Sequence, residues 1–132
     1  MKIINFLTGV FLALVCTSCY SQDDEFHFGS EQEFKLEVYS QGKVIQESSI
    51  DGTSPKIAPL KDIVESKNKH KLWTVSFITY APLYLVRGRS CNINFQTKHV
   101  IVNFKNSSGK YEQLVSDISA DEFDRVRTAF GK

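Results

Sequence analysis

The sequence predicts an α+β domain: an antiparallel sheet of about six strands, a short helix near residues 59–67 and a C-terminal helix near 120–130. Three observations carry that expectation. From residue 33 onward apolar and polar residues mostly alternate, the period of a half-buried strand. The alternating runs are joined by short turn-forming pairs such as Gln41-Gly42 and Gln96-Thr97, which bring sequence neighbours together as hairpins. Apolar residues take helical spacing only twice, and a chain with many strands, few helices and short connections belongs to this class.

Phe34, Leu36 and Val38 fall on one side of the first strand, with Lys35, Glu37 and Tyr39 on the other. A two-residue turn at Gln41-Gly42 returns the chain as a second strand over 43–49 and sets Val38 opposite Ile45. Asp51-Gly52 and Pro55 mark a loop. Pro59 suits the first turn of a helix, and Leu60, Ile63 and Val64 follow at one-face spacing. Residues 72–80 are the richest in β-branched and aromatic side chains and are expected as a central strand. Pro82 cannot donate to a ladder, so it marks a bend before the chain continues over 83–86.

Residues 90–95 and 98–105 read as a hairpin around Gln96-Thr97, pairing Phe95 with Lys98, Ile93 with Val100 and Cys91 with Val102. That register sets Cys91, Ile93, Phe95, Val100, Val102 and Phe104 on one face, and Asn92, Asn94, His99 and Asn103 on the other. The last strand is expected over 110–118. Ser119 to Glu122 has the Ser-x-x-Glu form of a capping box; Phe123, Val126 and Phe130 follow on one face, and Gly131 stands at the expected stop.

Upstream of the domain the pattern changes. Lys2 supplies a positive charge, residues 3–15 are almost wholly apolar, and Cys16-Thr17-Ser18-Cys19 closes the run with small residues. That is the layout of a secretory signal peptide, and the run is shorter than the roughly 20 residues a membrane span needs. It resembles the signal of bacterial lipoproteins. In that family the cysteine after the lipobox becomes the first mature residue and is acylated, which here implies Cys19. Cys16 stands where leucine is usual, and Val15 makes Cys16 the poorer choice for lipidation. Buried methylenes contribute about 0.8 kcal/mol each, so several acyl chains hold firmly.

The resemblance implies export and anchoring to the bacterial envelope. Tyr20 replaces the Asp that would retain such a protein at the inner membrane, which favours the outer membrane, on its periplasmic or surface face. The acidic run from Ser21 to Glu25 resembles a short export tag of surface-displayed lipoproteins, and reads equally as a charged tether. Cleavage by a general signal peptidase near Ser18 or Ser21 is the other outcome, leaving a secreted soluble chain. The expected organisation is a signal peptide over 1–18, lipidated cysteine and tether over 19–32, and one domain over 33–132.

Loss of Lys2 with the signal brings the 16 Lys and Arg into balance with the 15 Asp and Glu. Bulk charge therefore predicts neither nucleic-acid binding nor general attraction to anionic membranes. Lys67, Lys69, His70 and Lys71 form the one dense basic patch, read as a solvated loop or as a contact for an acidic partner or lipid headgroups. With Cys19 acylated, Cys91 keeps no intramolecular disulfide partner; with Cys19 free, the two have the chance to pair.

Nothing in the sequence assembles a catalytic centre, a metal site or a cofactor site. Cys91 and His99 are expected on opposite sheet faces, which defeats a thiol–imidazole pair. His27, His70 and His99 are scattered, and Gly88 and Gly109 are isolated. Tyr80, Leu83, Tyr84, Arg87 and Arg89 gather around the Pro82 bend, a composition that contact surfaces favour. The expected function is a small envelope lipoprotein that binds another protein, as an inhibitor, an immunity factor or an accessory subunit. The alternative is binding of a small apolar or glycan ligand in a pocket lined by Trp73, Phe77 and Phe95.

Overall fold

The computed structural model describes residues 26–28 and 32–131. The expected signal peptide, Cys19 and the acidic run lie outside the described residues. Among those described, seven strands form one sheet: β1 (Glu33–Ser40), β2 (Lys43–Asp51), β3 (Thr74–Val75), β4 (Tyr84–Arg87), β5 (Cys91–Phe95), β6 (His99–Lys105) and β7 (Tyr111–Asp117). Their order is β2-β1-β4-β5-β6-β7-β3, with every neighbouring pair antiparallel. The helices α1 (Ala58–Lys69) and α2 (Ala120–Phe130) cover one face. This is the α+β class that alternation and hairpin turns predict. No described helix is long and apolar enough to cross a membrane.

The core lies between that face and the two helices. Phe34, Leu36, Val86, Ile93, Phe95, Val100, Val102 and Leu114 point inward from the sheet, against Leu60, Ile63 and Val64 of α1 and Val126 and Phe130 of α2. Cys91 is buried on this helix-covered face, while His99 belongs to the outer face. Phe26, expected in the tether, is buried as well, its ring 5.5 Å from Phe104 and 5.0 Å from Phe28. A large apolar side chain gains too much by leaving water to stay in a solvated spacer, so the packed domain reaches back to Phe26.

Both hairpins differ from the expected register, with opposite consequences. At the first turn Gln41 and Gly42 have φ of 50° and 74°, the left-handed pair that a two-residue turn of type I′ requires. Tyr39 then pairs Val44, but Val38 pairs Gln46 rather than Ile45. Ile45 is the extra residue of a β-bulge, and its side chain is 62% exposed instead of completing an apolar face. Four residues, 96–99, lie between the last β5–β6 pair, and the turn is closed by Gln96 N–H donating to the His99 carbonyl at 2.9 Å. Phe95 therefore pairs Val100, and Ile93 pairs Val102. This displacement by two residues keeps every side chain on its expected face, since only an odd slip inverts a strand.

The expected central strand over 72–80 is the largest correction. Only Thr74 and Val75 pair, with Val115 and Leu114, and they form the sheet edge opposite β2. Ser76 N–H still donates to the Gln113 carbonyl at 3.0 Å. The chain then leaves the ladder and crosses the outer face to reach β4, which lies between β1 and β5. Sheet side chains capture its carbonyls: Gln113 Nε2 donates to Ser76 and Ile78, Asn94 Nδ2 to Tyr80, and Gln96 Nε2 to Ala81. These bonds replace the ladder partners a central strand would have had. Beneath the strap Ile101 is buried although it sits on the polar face.

The helices start and stop largely as their residues dictate. Ser119 Oγ accepts from Glu122 N–H at 3.1 Å and the Glu122 carboxylate accepts from Ser119 N–H at 3.0 Å, completing the capping box. The same carboxylate oxygen accepts from Lys67 Nζ at 3.1 Å, tying the end of α1 to the start of α2. Lys67 is thereby buried and removed from the basic patch, leaving Lys69, His70 and Lys71 exposed. Burial pushes the Glu122 carboxyl up, but the Ser119 backbone N–H and the Lys67 ammonium outweigh it and hold it below its ordinary value.

Candidate functional site

The outer face of the sheet is divided. The strap lies over β5–β7, while side chains of β2, β1 and β4 remain open to solvent. Alternation along β1 sends Lys35, Glu37 and Tyr39 outward, and β4 sends out Leu85 and Arg87, with Leu83 on the same side just before the strand. Lys35 pairs Arg87 and Glu37 pairs Leu85 across the ladder. Tyr39 N–H donates to the Leu83 carbonyl at 2.9 Å, bringing those two together at the top of the row.

Glu37 is the hub. Its side chain is only 7% exposed, and its carboxylate accepts from the Tyr39 hydroxyl at 2.8 Å and from Arg87 Nε at 3.2 Å, with Lys35 Nζ 3.4 Å away. Lys35 also reaches Glu47 on β2 at 3.4 Å. Desolvation pushes the Glu37 carboxyl up, but the phenol and the two cations overcome it and leave the pKa below its ordinary value. The Tyr39 phenol is held above its ordinary range, first by its bond to that carboxylate and then by burial. Glu47 first, and then Glu37, raise the Lys35 ammonium. A carboxylate held this firmly ionised is a fixed anion that orients Tyr39 and Arg87, not a proton-transfer group matched to neutral pH.

Below Arg87 the row opens into a cleft of about 910 Å³, with Phe28 and Phe34 at its apolar part and Lys35, Ser49, Arg87 and Arg89 among its polar walls. The five residues gathered by the Pro82 bend are thus separated by strand alternation. Leu83 and Arg87 face outward on the open half, and Arg89 lines the adjoining cleft. Tyr84 turns to the helix side, buried, its ring 5.7 Å from Phe130 and 6.2 Å from Phe123. Tyr80 pins the strap: its hydroxyl is 3.1 Å from Ser76 Oγ, and its ring is 6.2 Å from that of His99. Glu37, Tyr39 and Leu85 were not singled out by sequence, although the outward alternation Lys35-Glu37-Tyr39 was their signal.

The pocket expected from Trp73, Phe77 and Phe95 does not form. Phe95 and Trp73 are buried in the core, whereas Phe77 is 96% exposed on the strap. No described group of three or more His, Cys, Asp or Glu side chains is placed to hold a metal ion. The fold and this face define a two-layer α+β domain presenting a preorganised polar and aromatic patch on an open sheet surface. No protein-family model, curated protein or solved structure matches the chain.

Proposed function

We propose that this chain is an envelope-anchored lipoprotein, acylated at Cys19, whose domain binds another protein through the open half of its sheet. One observation carries the binding reading: Tyr39 and Arg87 are locked by Glu37 on an uncovered face beside Leu83 and Leu85. Tyr and Arg dominate binding energy at protein interfaces, and fixing them beforehand lowers the entropy lost on association. The adjoining cleft gives a partner's protruding segment a place to enter. Inhibitor, immunity factor and accessory subunit all use such a surface. The anchoring half rests on the sequence from Met1 to Glu25.

The test is affinity capture from detergent-solubilised envelope. A stoichiometric partner retained by the native chain, lost with Tyr39→Ala and with Arg87→Ala, and retained with Tyr111→Ala supports the proposal. A partner indifferent to the first two substitutions, or none at all, refutes it. Intact mass of the mature chain tests acylation of Cys19 separately.

A further inference from the structure

The edge of the sheet at β3 differs from the rest of the surface. Leu72 is 51% exposed, Phe77 96% and Ile78 65%, on one continuous stretch that starts directly after Lys69, His70 and Lys71. Phe77 and Ile78 sit on backbone that Gln113 holds through the Ser76 and Ile78 carbonyls, at 3.2 and 2.7 Å, so a fixed segment presents them. Two residues from Gln113 along the same face of β7, Tyr111 is also exposed, with Lys105 Nζ 4.9 Å from its ring centroid. Within residues 66–111 every charged side chain is basic, because no Asp or Glu occurs between Glu65 and Glu112 in the sequence, while β7, paired with β3, contributes Glu112 beside Tyr111 and the exposed Asp117.

Resting on the anchoring reading above, we infer that this edge docks on the anionic bilayer to which Cys19 tethers the chain: Leu72, Phe77 and Ile78 enter the headgroup boundary while Lys69 and Lys71 meet lipid phosphates. Two further observations select a bilayer as the occupant. Basic residues bordering exposed Phe, Leu and Ile form the composition that interfacial segments use. The tether also enters beside this edge: Asn68 Nδ2 donates to the Phe26 carbonyl at 2.8 Å, and Asn68 Oδ1 accepts from Trp73 Nε1 at 2.7 Å, bracketing residues 69–72. Only six residues separate Phe26 from Cys19, a reach of at most about 25 Å.

The experiment uses the acylated mature chain carrying Phe77→Cys, labelled with an environment-sensitive NBD fluorophore and reconstituted in phosphatidylcholine vesicles with or without phosphatidylglycerol. Emission at position 77 should at least double with phosphatidylglycerol present, while a label at Ile45→Cys on the opposite edge stays dim. Replacing Lys69 or Lys71 by Gln should lower the docked-to-undocked ratio by roughly fivefold for each lysine. Chain that fails to float with vesicles overturns the anchoring reading and this inference with it. Chain that floats with a dim label at 77 overturns docking alone, and equal brightness in neutral vesicles overturns the role of the lysines. A label that brightens only when an envelope protein is added identifies a protein contact and also overturns it.

Discussion

Replacing Glu37 by Gln tests whether the outer-face cluster is held by charge. The Tyr39 hydroxyl at 2.8 Å and Arg87 Nε at 3.2 Å donate to an ionised acceptor, and hydrogen bonds to charged groups contribute about 1.5–3 kcal/mol each. Lys35 is about half exposed and adds little. Gln keeps the volume and one acceptor oxygen, so the expected loss is about 2 kcal/mol at neutral pH, a fall in Tm of roughly 10 °C for a domain of this size. The pH dependence supplies the sharper check. Because the folded Glu37 carboxyl lies below its ordinary value of 4.5, its stabilisation is present above that value and is lost as pH falls through the folded pKa. The gap between native and Glu37→Gln chains should be full at about pH 7 and close to zero at about pH 2. Thermal unfolding followed by circular dichroism at both values reads it, and a gap that persists unchanged into acid refutes charge as the cause.

Other substitutions separate the remaining determinants. Ser119→Ala should cost about 1 kcal/mol in chemical denaturation through loss of the cap. Glu122→Ala strands the buried Lys67 ammonium and should cost about 3 kcal/mol, but much less in a Lys67→Met background; equal costs in both would show that the two do not couple. Ile45→Thr at the bulge should stay within about 0.5 kcal/mol of the native chain, whereas Ile93→Ala should cost roughly 3 kcal/mol. Gln113→Ala should speed hydrogen exchange in the strap with little change in global stability, and unchanged exchange would mean that other contacts hold it.

Local rules made the sheet faces and helix ends legible. The Ser119 box, the Leu60-Ile63-Val64 stripe and the apolar face of residues 91–104 are each encoded by residues close together in the chain. The β5–β6 face survived an incorrect turn length because the displacement was even. Residues 72–80 were opaque for a different reason: their strand-forming composition is local, but the carbonyl-capturing Asn94, Gln96 and Gln113 come from β5–β7 and the turn between them. Tertiary partners overrode propensity there. The Pro82 cluster misled because proximity in sequence ignores alternation, which sent Tyr84 to the core and Arg87 to the solvent face. Net neutrality likewise hid the segregation of charge along the chain, since counting basic against acidic residues erases where each lies.

The two proposed surfaces occupy well-separated parts of one sheet, and that separation has a testable consequence. β1, which carries Glu37 and Tyr39, lies five strand spacings from β3, about 24 Å at roughly 4.8 Å per spacing. If the β3 edge docks on the bilayer, docking sets how far the partner face stands from the membrane, and the tether only needs to reach Phe26. Deleting residues 23–25 leaves three residues between Cys19 and Phe26, a span of at most about 14 Å. Because Phe26 lies beside the docking edge through Asn68, the shortened tether should leave partner capture on intact cells or vesicles unchanged. In the Phe77→Ala chain the domain depends on the tether alone, and the same deletion should then reduce capture. Loss of capture on shortening the tether in the native background would mean that the tether, rather than the docked edge, positions the domain.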